Sequence, residues 1–257
     1  MSENINKSRR RFIHGAAAAT VGGVLLPGVR PALVIDAAKT RLKVGLTPPA
    51  TQVTVGFRTE NAGTGPLQPM FEYLTMSDRF TGEIKPNLAS EWQRTEDAKN
   101  WRFKLRSDVT FHDGSPFTAK DVVLSWTLLT AQDSRATTAT QFRKLIKSAS
   151  DIEIVNDHEL VFHLTESEPE LPWHLTQGFL IYSKAYFDKV GINGYAAAPI
   201  GTGPFRFKEF KQGQYILYER VEKHWRQTPE FAELQLFYMP EDTTRLAALL
   251  TGELHIA

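Results

Sequence analysis

Phe111-His112-Asp113-Gly114 sets an imidazole beside a carboxylate, the pairing that general acid–base chemistry uses. The same letters also spell a turn. Aspartate tolerates turn geometry, and the glycine after it supplies positive φ without steric cost. Ser115-Pro116-Phe117 then leads to Thr118-Ala119-Lys120-Asp121, which resembles a capping box at a helix start, with aspartate in place of the usual glutamate or glutamine. Every residue of the stretch has a local structural role, so His112 and Asp113 are read as turn residues and not as catalytic groups.

The other candidates for chemistry resolve in the same direction. Glu166, Glu168 and Glu170 are interleaved with Pro169 and Pro172, the pattern of an exposed loop with solvated charges. His112, His158, His163, His174, His224 and His255 fall at none of the spacings that hold zinc on a helix, so no metal site is expected. No GxSxG elbow, phosphate loop or GxGxxG fingerprint occurs. Gly201-Thr202-Gly203-Pro204 has the look of a phosphate cradle, but Pro204 removes an N–H where a cradle needs donors. A strand rather than a helix follows it, so the piece reads as a rigid turn. The chain has no cysteine, which excludes disulfides, thiolate metal sites, a cysteine nucleophile and a lipidated N-terminal cysteine. We therefore expect no catalytic residue and no cofactor.

The elements that carry these residues alternate between strand and helix. Arg41-Leu42-Lys43-Val44-Gly45-Leu46 alternates as a half-buried strand and stops at Thr47-Pro48-Pro49. Residues 56–69 read as loop, and Phe71 to Leu74 as a short apolar piece of either type. Trp101 to Arg106 puts aromatics and leucine on one face and cations on the other. Val122, Val123, Trp126 and Leu129 recur at helical spacing. Hairpins are expected around Asn156-Asp157-His158 and Gln212-Gly213, followed by a strand from Leu234 to Met239. A last helix begins at Pro240-Glu241-Asp242, groups Leu246, Leu249 and Leu250 on one face, and ends at Gly252. Gly191 to Pro204 is Ala/Pro/Gly-rich and reads as linker-like.

Of 257 residues, 42% are hydrophobic and 23% charged, an ordinary globular balance. Lys+Arg 30 against Asp+Glu 29 leaves +1, which gives no reason to expect nucleic acid as a partner. Ser8-Arg9-Arg10-Arg11-Phe12-Ile13 precedes an uncharged Ala/Gly-rich run from Gly15 to Val29. A basic segment, a short apolar segment and paired arginines before Phe12 match a twin-arginine export signal. The run falls short of the about 20 strongly apolar residues of a membrane span. Residues 1–39 are thus expected to be a signal peptide, with Ala37 and Ala38 near its cleavage site, and the mature chain to be exported and periplasmic, not lipid-anchored.

Four stretches in order, "PNLASEWQRTEDAKNWRFKLRSDVTFHDGSPFTAKDVVLSW", "PIGTGPFRFKEF", "GQYILYERVEKHW" and "PEDTTRLAALLTGELHIA", resemble the extracellular solute-binding proteins of family 5. These are peptide, dipeptide and nickel receptors of ABC importers. The resemblance runs from residue 41 to 257. It implies an α/β fold like that of type II periplasmic binding proteins, with residues 40–257 forming the N-terminal part of the solute-binding domain. That part is a first lobe with a mixed β-sheet. Family members are longer, and "TGELHIA" sits near their mid-chain, so the second lobe is expected to be missing here.

The resemblance also points to ligand-facing residues. Thr47, Pro48, Pro49 and Ala50 correspond to a segment whose extended backbone pairs with peptide in the peptide receptors; the two prolines here reduce its donors. Tyr73 and the hinge-side Thr202 and Gly203 are further candidates. The implied partners are a peptide or other small solute, ABC permease subunits in the inner membrane, and the twin-arginine translocase. The rival class is an exported hydrolase, and a third reading is a module that presents its ligand to a sensor.

Overall fold

The computed structural model describes residues 40–47, 65–132, 134, 139–145 and 151–257. The proposed signal segment lies outside them. In chain order the first elements are β1 (Arg41–Leu46), a 3-10 turn at Gly65–Leu67, β2 (Thr75–Ser77), β3 (Ile84–Pro86), β4 (Ala89–Arg94) and β5 (Asn100–Leu105). Then come α1 (Ala119–Thr130), α2 (Ala139–Leu145), β6 (Ile152–Asn156), β7 (Glu159–His163) and α3 (Leu171–His174). The last are α4 (Lys184–Ala197), β8 (Phe205–Lys211), β9 (Tyr215–Arg220), β10 (Glu233–Tyr238) and α5 (Asp242–Thr251).

Alternation makes one sheet. Trp101, Phe103 and Leu105 of β5 point inward and are buried, while Arg102 and Lys104 reach Glu159 and Glu91 across the wet face. β5 pairs antiparallel with β4 and β7, and β7 with β6, in the order β4-β5-β7-β6. The apolar stripe of α1 packs on this sheet and on α2: Trp126 meets Phe162 of β7 at 5.9 Å and Phe142 of α2 edge-on at 5.4 Å. Each such fully buried side chain contributes about 1.5–3 kcal/mol. The start of α1 is held by Asp121, whose carboxylate accepts from the Thr118 N–H at 2.6 Å and its hydroxyl at 3.0 Å.

A second four-stranded sheet runs β1-β10-β9-β8, parallel between β1 and β10 and antiparallel elsewhere. It is the mixed sheet expected for a first lobe. Ile216, Tyr218, Leu234, Leu236 and Tyr238 line its buried face with Leu67, Met70, Phe71 and Tyr195. Here one expectation is corrected. The first half of the piece from Gly191 to Pro204, read as linker-like, is the end of α4, whose helical path breaks at Gly191 (φ 67°) and resumes to Ala197. Burial overrides composition: Tyr195 is fully buried, accepts from the Ser183 N–H and donates to Ile200 O at 2.6 Å.

Candidate functional site

The ends of the mixed sheet differ in what they present. β1 and β10 are parallel, so both carboxyl ends emerge on one side, Leu46 level with Tyr238. The last residues of the chain add to this. Ile256 lies parallel to Val44 on the other edge of β1, with Gly45 N–H donating to Ile256 O at 2.9 Å and His255 N–H to Lys43 O at 2.9 Å. A Cβ on Gly45 would sit 2.6 Å from Leu254, so the missing side chain is what lets this segment approach. Three chain segments therefore run in one direction and converge at the carboxyl end of β1. In open α/β sheets the crevice outside such ends is where ligands bind.

Thr47 stands at that end, exposed, next to the hydrogen bond from Met239 N–H to Leu46 O at 2.9 Å. Pro48, Pro49 and Ala50 lie outside the described residues. The Tyr238 hydroxyl, buried at the same end of β10, has no hydrogen-bond partner among the described residues, and burial pushes its phenol up to about 12. Sequence reading missed this tyrosine, because in a strand pattern it is simply one more apolar letter.

The other candidates lie elsewhere. Tyr73 is half-buried against the core of the mixed sheet; its carbonyl accepts from Asn87 Nδ2 at 2.8 Å, and its hydroxyl accepts from Gln68 Nε2 at 3.4 Å. Thr202 and Gly203 lead into β8. Phe205 is level with Arg220, and the neighbouring Glu219 with Glu233 and hence with Arg41, so this turn sits at the amino end of β1. Six residues of strand separate that level from Thr47, about 20 Å, and three strand spacings add about 14 Å sideways. Thr47 and the Thr202–Gly203 turn thus do not meet around one small ligand.

The turn is instead a packing joint. A Cβ on Gly201 would lie 2.1 Å from Met70 O, and one on Gly203 2.6 Å from Pro69 O. Gly203 N–H donates to Met70 O at 2.8 Å, and Phe205 N–H to Pro69 O at 3.0 Å. His112 closes the joint from the other side. Its Nε2 is 2.9 Å from Gly203 O, its Nδ1 accepts from Gly201 N–H at 3.3 Å, and its own N–H donates to Gly201 O at 3.0 Å. That pattern requires the neutral ring protonated on Nε2. Burial agrees, holding the imidazole down to about 4, and the nearby Arg206 charge acts in the same direction. Asp113 stays local: its carboxylate accepts from the Ser115 N–H at 3.0 Å and hydroxyl at 2.7 Å, and Gly114 takes φ 86°. His112 and Asp113 therefore take separate partners and do not pair with each other.

Behind the joint lies a cluster that the sequence reading did not assemble. Glu72, a lone acid in the apolar piece Phe71–Leu74, is buried and accepts from Trp225 Nε1 at 2.8 Å and Arg226 at 2.9 Å. His224 donates to Thr202 O at 3.0 Å, and the Arg106 guanidinium stacks on Trp225 at 4.7 Å. An acid inside an apolar run was the available signal. Among the described residues no group of three His, Asp or Glu is placed to hold a metal ion.

Comparison with known proteins gives these features a frame. The family described as "Bacterial extracellular solute-binding proteins, family 5 Middle" matches residues 83–257. The "Nickel-binding periplasmic protein" of Escherichia coli (strain K12) is 30% identical over 193 residues, which is 74% of this chain and 35% of that protein. The "Dipeptide-binding protein" of the same organism is 27% identical over 212 residues, covering 73% and 38%. Among solved structures, a dipeptide binding protein from Pseudoalteromonas sp. SM9913 in complex with Met-Leu superposes with a TM-score of 0.74 at 24% identity, over 85% of this chain and 47% of that one. The oligopeptide-binding protein AppA of Bacillus subtilis, in complex with a nonapeptide, gives 0.72 at 25%, over 85% and 44%. The chain spans little more than a third of the length of these curated relatives, and under half of the solved ones.

Proposed function

This chain belongs to the bacterial extracellular solute-binding proteins of family 5, and from that premise we propose that it is the first-lobe portion of a periplasmic receptor for an ABC importer. It captures a peptide or another small solute and delivers it to permease subunits in the inner membrane. The observation that carries this reading is the convergence of β10, β1 and the His255–Ile256 segment on the carboxyl end of β1, where Thr47 stands.

The solute-facing surface is then Thr47 with Pro48, Pro49 and Ala50, the segment that the family resemblance aligns with an extended ligand. Tyr73, Thr202 and Gly203 belong to the packing of the lobe away from this surface. Relatives named for nickel, heme and dipeptide binding set the range of solutes. Closure of two lobes on the solute does the work, and no bond is made or broken. The relatives' names describe receptors, so the family context favours this over an exported hydrolase. Titrating the 257-residue chain with dipeptides, nickel–histidine and heme, while following backbone amide resonances, tests the assignment. Shifts should gather at Thr47, Tyr238 and Met239; shifts confined to the other end of the sheet would overturn it.

Export through the twin-arginine translocase, by cleavage of residues 1–39, completes the proposal. Its support is Arg9-Arg10 before Phe12 and the weakly apolar run that follows. No helix among the described residues is long and apolar enough to cross a membrane. Replacing Arg9→Lys and Arg10→Lys together should hold the precursor in the cytoplasm, and normal periplasmic accumulation of that variant would remove the assignment.

A further inference from the structure

At the end of the mixed sheet away from Thr47 there is a cavity of about 300 Å³, lined by Phe111, Thr202, Arg206, Val221, Lys223 and Trp225 among others. Its polar groups are out of balance. The Thr202 hydroxyl is buried, in a residue 2% exposed, and has no hydrogen-bond partner among the described residues. Arg206 Nε stands 3.2 Å from Glu219 without forming a hydrogen bond. Lys223 has neither an ion pair nor a hydrogen bond among the described residues. A buried donor without a partner is destabilising, so such groups are kept where something satisfies them.

The acids around the cavity are already engaged. Asp108 is held by both nitrogens of a bidentate Arg106, Glu72 by Trp225 and Arg226, and Glu222 by Arg220. His112 and His224 spend their ring nitrogens on backbone groups. What remains facing the space is a guanidinium, an ammonium and a hydroxyl, against apolar walls from Phe111, Val221 and Trp225. Arg206 has Glu219 as an ion-pair partner at 3.2 Å, whereas Lys223 and the Thr202 hydroxyl have none among the described residues, and a guanidinium with a hydroxyl suits an oxyanion.

We infer that this cavity is a second binding site, for a small oxyanion of the phosphate or carboxylate class, separate from the solute-binding face. Arg206 supplies the forked donor, Thr202 a hydroxyl from the floor, and Lys223 a charge at the mouth. Its position some 20 Å along the strands from Thr47 keeps it independent of the solute reading.

Calorimetry and thermal unfolding of the full chain, with inorganic phosphate, sulfate and acetate against chloride at matched ionic strength, test the inference. At least one oxyanion should give saturable binding and a rise in Tm that chloride does not reproduce. Arg206→Gln and Lys223→Gln should each weaken that binding about tenfold, since each removes a charge-assisted hydrogen bond. Thr202→Val should weaken it less. Lys208→Gln, on the same strand but paired with Glu233, should leave it unchanged. The site does not exist if no oxyanion binds saturably, if Arg206→Gln and Lys223→Gln bind as the parent does, or if Lys208→Gln weakens binding equally.

Discussion

His112 should make this protein acid-sensitive in a window that one substitution can close. Its imidazole is held down to about 4 from an ordinary 6.5 because it is buried; burial, with the Arg206 charge acting the same way, outweighs the hydrogen bond to Gly203 O that favours the proton. The unfolded chain therefore takes up a proton at this residue near pH 6.5, while the folded chain resists until about pH 4. Stability from this group is fully present above 6.5 and falls as the pH drops toward 4. A gap of 2.5 pH units at 1.36 kcal/mol per unit gives a limit of about 3.4 kcal/mol, of which about 3 is lost by pH 4.

His112→Gln keeps an amide N–H for Gly203 O and an oxygen for the Gly201 N–H, but it cannot titrate. Urea unfolding followed by tryptophan fluorescence, in steps from pH 7 to pH 4, should show the parent losing about 3 kcal/mol more than the variant across the window. Carboxylates titrate in both proteins, so the difference between the two curves belongs to His112. Parallel curves, or a His112 resonance that titrates near 6.5 in the folded protein, would refute the clamp.

Gly201→Ala should cost more than about 3 kcal/mol, read as lost soluble yield or a collapsed urea midpoint, because its Cβ would lie 2.1 Å from a backbone carbonyl already bonded to Gly203. A Tm within about 2 °C of the parent would mean that the turn is not packed in this way. Glu72→Gln removes the charge that Trp225 and Arg226 share and should destabilise by about 1–3 kcal/mol in the same urea assay; no change would detach the cluster from stability. On α5, Leu246 and Leu250 are 56% and 79% exposed on one face, an apolar patch open to self-association. Leu250→Gln should reduce association in sedimentation experiments while shifting stability by no more than about 0.5 kcal/mol; unchanged association would place the contact elsewhere.

Much of the fold was legible because local rules and tertiary packing agree. Trp101, Phe103 and Leu105 alternate with cations, so burial on one face follows from period two alone. Asp121 could be read as a cap, and Gly252, at φ 79°, as a helix stop, since caps and left-handed stops act within a few residues. His112-Asp113 could likewise be read as a turn. Composition misled at Gly191–Ala197, where Tyr195 makes a helix of what looked like linker.

What only the tertiary structure decided is every relation between distant segments. Nothing in Thr47 or in Ile256 says that both flank the carboxyl end of β1, because parallel pairing joins residues about two hundred positions apart and leaves no local signature. His112 reads as a turn residue until Gly201 and Gly203 arrive from some ninety residues away to occupy its ring nitrogens and bury the ring, and the burial holds it neutral. Thr202 and Arg206 are ordinary letters of a turn and a strand. They become unmatched donors at a cavity only when the loop after β5 and the segment after β9 close around them. Sequence determines local conformation and the faces that must be hidden; a side chain's dielectric, partners and charge state depend on which other segments hide it.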